Sequence, residues 1–144
     1  WMDTKYEPGT VKVIAYDKDG NAVAGKEMKT AGKPYRIELT ADRDKIMADG
    51  KDLSFVTVKV VDKDGNLCPT AANEITFKVK GKGYYRAGAN GDPTSLESFQ
   101  APHMKVFSGM MTAIVSSTEE PGKITLEATS KGLKKATLVI ESGK

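Results

Sequence analysis

The chain has 144 residues, 39% of them hydrophobic, and its 22 basic and 19 acidic side chains leave a net charge of +3. That length suits one domain, or one domain with a fragment attached, and the dispersed apolar residues never form the run of about 18 that a membrane helix needs, so no membrane insertion is expected. Interspersed charge without a basic stripe argues against nucleic acid as a partner, and the single cysteine, Cys68, excludes an internal disulfide and any multi-thiolate metal centre.

The opening, Trp1-Met2-Asp3-Thr4-Lys5, has no basic stretch leading into an apolar run, so it is not a signal peptide. A start on tryptophan suggests a cut inside a longer chain, and Trp1 is given no role. From there the apolar residues recur at every second position, the period of a strand with one buried and one wet face. Val11 and Val13 come first, then Ile37 and Leu39, then Val56, Val58 and Val60, then Ile75, Phe77 and Val79. Met110, Thr112 and Ile114 follow, then Ile124, Leu126 and Ala128, and finally Ala136, Leu138 and Ile140. Asp-Gly, Asn-Gly, Pro-Gly and Lys-Gly pairs separate these runs as hairpin punctuation. The pattern predicts an all-β, immunoglobulin-like antiparallel sandwich, with about four strands before Asp42 and about seven after it.

A weak internal repeat divides the chain in two. Ala15-Tyr16-Asp17-Lys18-Asp19-Gly20-Asn21 resembles Val60-Val61-Asp62-Lys63-Asp64-Gly65-Asn66. Residues 43–144 approach the roughly 100 that a complete sandwich takes. Residues 1–42 are too few to bury a core unaided, so they are expected to be a truncated β domain, the last strands of a preceding module, leaning on the second.

Chemistry-bearing residues are sparse. Both Asp-Lys-Asp-Gly-Asn loops gather acidic oxygens, but an EF-hand loop places its glycine sixth and a glutamate twelfth, and here glycine comes fourth; a tight turn explains them, and no metal or cofactor is assigned. His103 is the only histidine and no Gly-x-Ser-x-Gly elbow occurs, so no nucleophilic triad is expected. The most distinctive stretch runs from Gly81 to His103. Tyr84, Tyr85 and Arg86 precede a long loop that carries Asn90, Asp92 and Phe99, and aromatic faces beside amide and carboxylate groups suit a sugar ring. The plainer reading is that Tyr84 and Phe99 plug the edge of the sandwich.

Several segments together resemble the C-terminal immunoglobulin-like region of bacterial glycoside hydrolase family 2 enzymes, the β-galactosidase-like group. They are Tyr6-Glu7-Pro8-Gly9-Thr10-Val11, Lys29-Thr30-Ala31-Gly32-Lys33-Pro34, Ile37 to Arg43, Ala48 to Val56, Asn90-Gly91-Asp92-Pro93-Thr94-Ser95, Phe107-Ser108-Gly109 and Thr129 to Leu133. In the family pattern a histidine follows Pro-Thr-Ser, where this chain has Leu96 before Glu97. The resemblance implies that the catalytic carboxylates lie in a barrel domain preceding this segment, so no catalytic residue is expected here. It further implies an exported parent enzyme acting on glycans at the periplasm or cell surface, with this chain as a non-catalytic accessory module whose partners are the parent's other domains. Two rivals stand beside that reading: a carbohydrate-binding module using the loop 84–103 to hold an oligosaccharide, and an adhesin-like stalk module.

Overall fold

In the computed structural model, which describes Asp3 and residues 5–144, every alternating segment becomes a strand. Trp1 lies outside the described residues. β1 (Thr10–Tyr16) and β2 (Ala22–Lys29) form an antiparallel hairpin by themselves. The remaining strands build two sheets. One has the order β3 (Arg36–Ala41), β5 (Leu53–Val61), β9 (Met110–Ser117), β7 (Gly83–Ala89). The other has the order β4 (Lys45–Met47), β11 (Ala136–Gly143), β10 (Gly122–Thr129), β6 (Glu74–Gly81), β8 (His103–Lys105). All pairings are antiparallel except β4 with β11. Taking β3, β5, β6, β7, β9, β10 and β11 as strands A to G gives A-B-E-D facing C-F-G, the immunoglobulin arrangement.

The inner faces carry the alternation read from the sequence. Val56, Val58 and Val60 of β5 and Ala113 and Val115 of β9 meet Ile75 of β6, Ile124 and Leu126 of β10 and Ile140 of β11, all with 0% exposure. Between the sheets the rings of Phe77 and Tyr85 stack with centroids 5.3 Å apart and planes 17° from parallel.

The domain boundary expected after Asp42 falls inside the sandwich. β3 pairs with β5 from Arg36↔Val61 to Ala41↔Val56, and Ile37 is a core residue at 3% exposure. Residues 42–44 are therefore a bend that carries the chain from one sheet to the other. Such a bend has the same polar composition as a linker, which is why the sequence suggested one. Among the described residues three strands, not about four, precede Asp42, and eight, not about seven, follow it. The additional ones include β4 and β8, each three residues long, too short to show alternation.

The hairpin buries nothing. Every residue of β1 and of β2 is exposed, including Val11 at 69%, Val13 at 66% and Met28 at 68%. Register places Val11 opposite Met28, Val13 opposite Lys26 and Ala15 opposite Ala24, so one face of the hairpin is apolar apart from Lys26. A lone two-stranded ribbon is at best marginally stable in water. In the 144-residue chain, the amides of β1 and β2 should therefore exchange with solvent orders of magnitude faster than those of β5, β9 and β10, as hydrogen exchange followed by nuclear magnetic resonance would read.

The chain passes between the sheets again at Gly81-Lys82-Gly83, from β6 to β7. The Lys82 amide donates to the Lys123 carbonyl of β10 at 3.0 Å, and the Lys82 carbonyl accepts from the amide and hydroxyl of Thr118, beyond β9, at 3.0 and 3.1 Å. Lys82 also pairs with Glu120.

Candidate functional site

Three places hold enough polar organisation to be functional: the joint between hairpin and sandwich, the long loop after β7, and the outer face near Tyr84. The joint is built from residues 30–35. Thr30 closes the hairpin, its amide donating to the Gly9 carbonyl at 2.8 Å and its hydroxyl accepting from the Gly9 amide at 2.9 Å. Next, the Gly32 amide donates to Asp62 Oδ2 at 2.7 Å. The Tyr35 amide then reaches the Val61 carbonyl at 2.9 Å, and the Tyr35 carbonyl accepts from the Lys134 amide at 2.9 Å. The Tyr35 ring lies 4.7 Å from Lys134 Nζ and 5.6 Å from Lys63 Nζ, close enough for cation–π attraction. Arg36 Nη1 donates to the carbonyls of Asp62 and Lys63, while its Nη2 pairs with Glu38 at 2.7 Å.

Asp62 is the centre of this joint. Its Oδ1 accepts from the amides of Asp64 and Asn66 at 2.9 and 2.8 Å, and its Oδ2 accepts from Asn66 Nδ2 at 3.1 Å as well as from Gly32. The Gly32 amide, followed by the Asn66 side chain, holds the carboxyl down at about 2, against an ordinary 3.8. Nearby, burial pushes the Cys68 thiol up, with the Asp62 charge adding to the effect. Asp17 in the twin turn accepts in the same way from the amides of Asp19 and Asn21, at 2.9 and 2.8 Å, and from Asn21 Nδ2. Both aspartates thus spend their oxygens on N–H donors that close the turn, as an Asx-type turn requires. Among the described residues, no three or more His, Cys, Asp or Glu side chains gather in a way that could hold a metal ion.

The six residues singled out as a sugar surface are dispersed. Tyr84 points outward from the four-stranded sheet at 41% exposure, one register row from Phe55 at 43%, with Ile114 between them on β9. Arg86 sits at the irregularity between Tyr85 and Ala87 and is exposed. Tyr85 faces inward onto Phe77, and desolvation pushes its hydroxyl up to about 12. Asn90 and Asp92 are struts of the loop. Asn90 Nδ2 donates to the Lys105 carbonyl at 2.9 Å while its Oδ1 accepts from the Asp92 amide at 3.0 Å, and Asp92 Oδ1 accepts from the amide and hydroxyl of Thr94 at 2.9 and 2.7 Å. Phe99 is exposed on the return arm of the loop, where its carbonyl accepts from the Gly88 amide at 2.7 Å. His103 Nδ1 lies 3.9 Å from Glu74 Oε2, with both side chains more than half exposed. Sequence reasoning missed the joint itself. Its signal was there in the repeat: a turn that recurs beside a Thr-Ala-Gly-Lys-Pro linker.

Comparison with known proteins fits this division. The model of the glycoside hydrolase family 2 C-terminal domain 5 matches residues 37–139, beginning within β3, and a model described as a domain of unknown function (DUF4982) matches residues 1–24. The beta-galactosidase BoGH2A of Bacteroides ovatus is 50% identical over 96% of this chain, and a beta-galactosidase of Thermoanaerobacter pseudethanolicus is 37% identical over 90%. The chain spans about 16% of the length of either relative. A solved family 2 glycosyl hydrolase from Bacteroides cellulosilyticus superposes with a TM-score of 0.90 at 34% identity, covering 98% of this chain and 18% of that one. The D00-D0 domain of intimin shares the fold alone, with a TM-score of 0.59 at 17% identity, covering 96% of this chain and 66% of that one. With a family model matching residues 37–139, nearly all of the sandwich, and half of the aligned residues shared with one such enzyme, the chain belongs to the C-terminal domains of glycoside hydrolase family 2.

Proposed function

We propose that this chain is a non-catalytic structural module of a family 2, β-galactosidase-like enzyme acting on glycans, and that its task is to hold a fixed orientation toward the domain that precedes it. The observation that carries this reading is the pinned joint. The six linker residues are tied to the hairpin at Thr30 and to the sandwich at Gly32 and Tyr35, so no more than two consecutive residues, Lys33 and Pro34, run between fixed points. The hairpin is then the closing edge of the preceding β domain, with the apolar row of Val11, Val13 and Met28 covered by the rest of that domain. The parent is proposed to be exported, to the periplasm or cell surface.

The test separates scaffold from catalyst and from sugar binder. The isolated chain should hydrolyse no nitrophenyl glycoside, and titration with galactosides and plant oligosaccharides should leave its amide spectrum unchanged. Shifts confined to residues 84–103 would instead establish the carbohydrate-binding reading, for which the exposed Tyr84 is the best available aromatic face. Turnover by the chain alone would end the scaffold reading.

Acid provides a further check on the joint. Because the Asp62 carboxyl titrates lower in the folded chain than in the unfolded one, its contribution is complete above the ordinary value of 3.8 and is lost as pH falls toward about 2. Protection of the Gly32 amide, corrected for intrinsic exchange, should hold at neutral pH and disappear across that window. In Asp62→Asn it should be low at every pH, with no change in that window.

A further inference from the structure

The sandwich exposes its large apolar side chains unevenly. Register fixes the two ends of the four-stranded sheet: Arg36 lies opposite Val61, Lys59 opposite Met110, and Ala89 opposite Thr112. The loops 62–73, 90–102 and 106–109 therefore all emerge at the end where the linker 30–35 enters. Of the eight large apolar residues exposed on the sandwich, four belong to this end: Leu96, Phe99, Phe107 and Met110. Leu96 is 100% exposed and Phe99 64%.

A floppy loop could carry such residues without consequence, but this one is stiff. Beyond the struts of Asn90 and Asp92, the Ser95 amide donates to the Asp92 carbonyl, Ser95 Oγ bonds Glu97 Oε2 at 3.2 Å, and Glu97 Oε1 accepts the Lys105 amide at 3.2 Å. The Gly88–Phe99 and Ser98–Ala101 backbone bonds then lay the return arm along β7. The loop's polar groups satisfy one another, and the result holds a leucine in water. A surface of this kind has already met the ordering cost of binding, and a rigid apolar anchor is what an interface core uses.

We infer that the loop 90–102 is a docking finger whose Leu96 and Phe99 seat in an apolar recess on the preceding part of the same polypeptide. The occupant follows from where the rest of the chain attaches. The chain spans about 16% of its relatives' length, and what precedes residue 30 joins at the end from which the loop projects. Tethering raises the local concentration of the recess to the millimolar range, so two side chains suffice where a free partner would need a larger area. The inference rests on the scaffold reading and deepens it by naming the contact.

Hydroxyl-radical footprinting of the side chains, on the 144-residue chain and on the full parent enzyme, tests it. Oxidation of Leu96 and Phe99 should fall at least fivefold in the parent at every protein concentration. Leu96→Asp should restore Phe99 oxidation in the parent and lower its melting midpoint, while leaving the midpoint of the 144-residue chain unchanged. Equal oxidation in both contexts overturns the inference. Protection that grows with concentration overturns it in favour of a second copy, and protection that needs added galactose overturns it in favour of a glycan subsite. Glycosidase activity is a separate readout, so failure of the scaffold reading would be seen independently.

Discussion

Gly81→Ala is expected to prevent the sandwich from folding, while the superficially similar Gly132→Ala is expected to be tolerated. Both glycines have positive φ, 93° and 78°, so both substitutions carry the roughly 1–2 kcal/mol that an L side chain meets in that region. The difference lies in what surrounds them. A Cβ at Gly132 would meet nothing within 4 Å, whereas one at Gly81 would stand 2.0 Å from the Lys123 carbonyl oxygen, a backbone atom of the neighbouring strand β10. That oxygen cannot move aside. It accepts the Lys82 amide at the crossing between sheets, and β10 is paired on its other edge with β11 from Gly122↔Ser142 onward. Relieving the clash means parting β6 from β10, and with a whole domain stabilised by only about 5–15 kcal/mol the folded state should not survive. Soluble yield and urea midpoint check this: Gly132→Ala should lower the midpoint slightly, and Gly81→Ala should give no cooperative transition.

Leu126→Ala should cost about 2–5 kcal/mol, the range for emptying a buried leucine site that relaxes only in part. Leu126 is fully buried, lies between Val79 of β6 and Leu138 of β11 in the register, and belongs to the central strand of its sheet. Its surroundings are held by strands on both sides, so collapse into the space is restricted. Val139→Ala on β11, at 39% exposure, should change stability by less than about 0.5 kcal/mol. Urea denaturation of the two variants reads the contrast directly, and a Leu126→Ala loss no larger than that of Val139→Ala would mean the two sheets are not packed as described.

Much of this was legible because alternation is a local code. Val56, Val58 and Val60 announced their own inward face, and so did Ile75 with Phe77 and Ile124 with Leu126. The code does not say which sheet a strand joins. β3 alternates as well as β5 does, yet only pairing assigns it to the sandwich, and so the boundary was drawn too late. Nor can it follow a strand through a bulge, such as the one after Tyr85 that puts Arg86 out of register. Tyr84 and Tyr85 face opposite sides by plain alternation, Tyr84 toward solvent opposite Ser116 and Tyr85 toward the core opposite Val115, so the two aromatics cannot share one surface. The Lys-Gly pair at residues 80–81 was read as hairpin punctuation, although the chain there changes sheets, a distinction that depends on contacts with β9 and β10 far along the sequence. Asn90 and Asp92 had the composition of ligands; their partners proved to be one another, Thr94 and a distant carbonyl.

The pinned linker has a geometric corollary. It grips the sandwich at one end only, and a nine-residue strand such as β5 is about 30 Å long. At that reach, a tilt of 10° at Gly32 displaces the far end by about 5 Å. The Gly32–Asp62 bond, together with the Tyr35 bonds beside it, therefore sets the aim of the distal bends at residues 42–44 and 118–121, and a lesion at Asp62 should be felt there as misdirection before it is felt as unfolding.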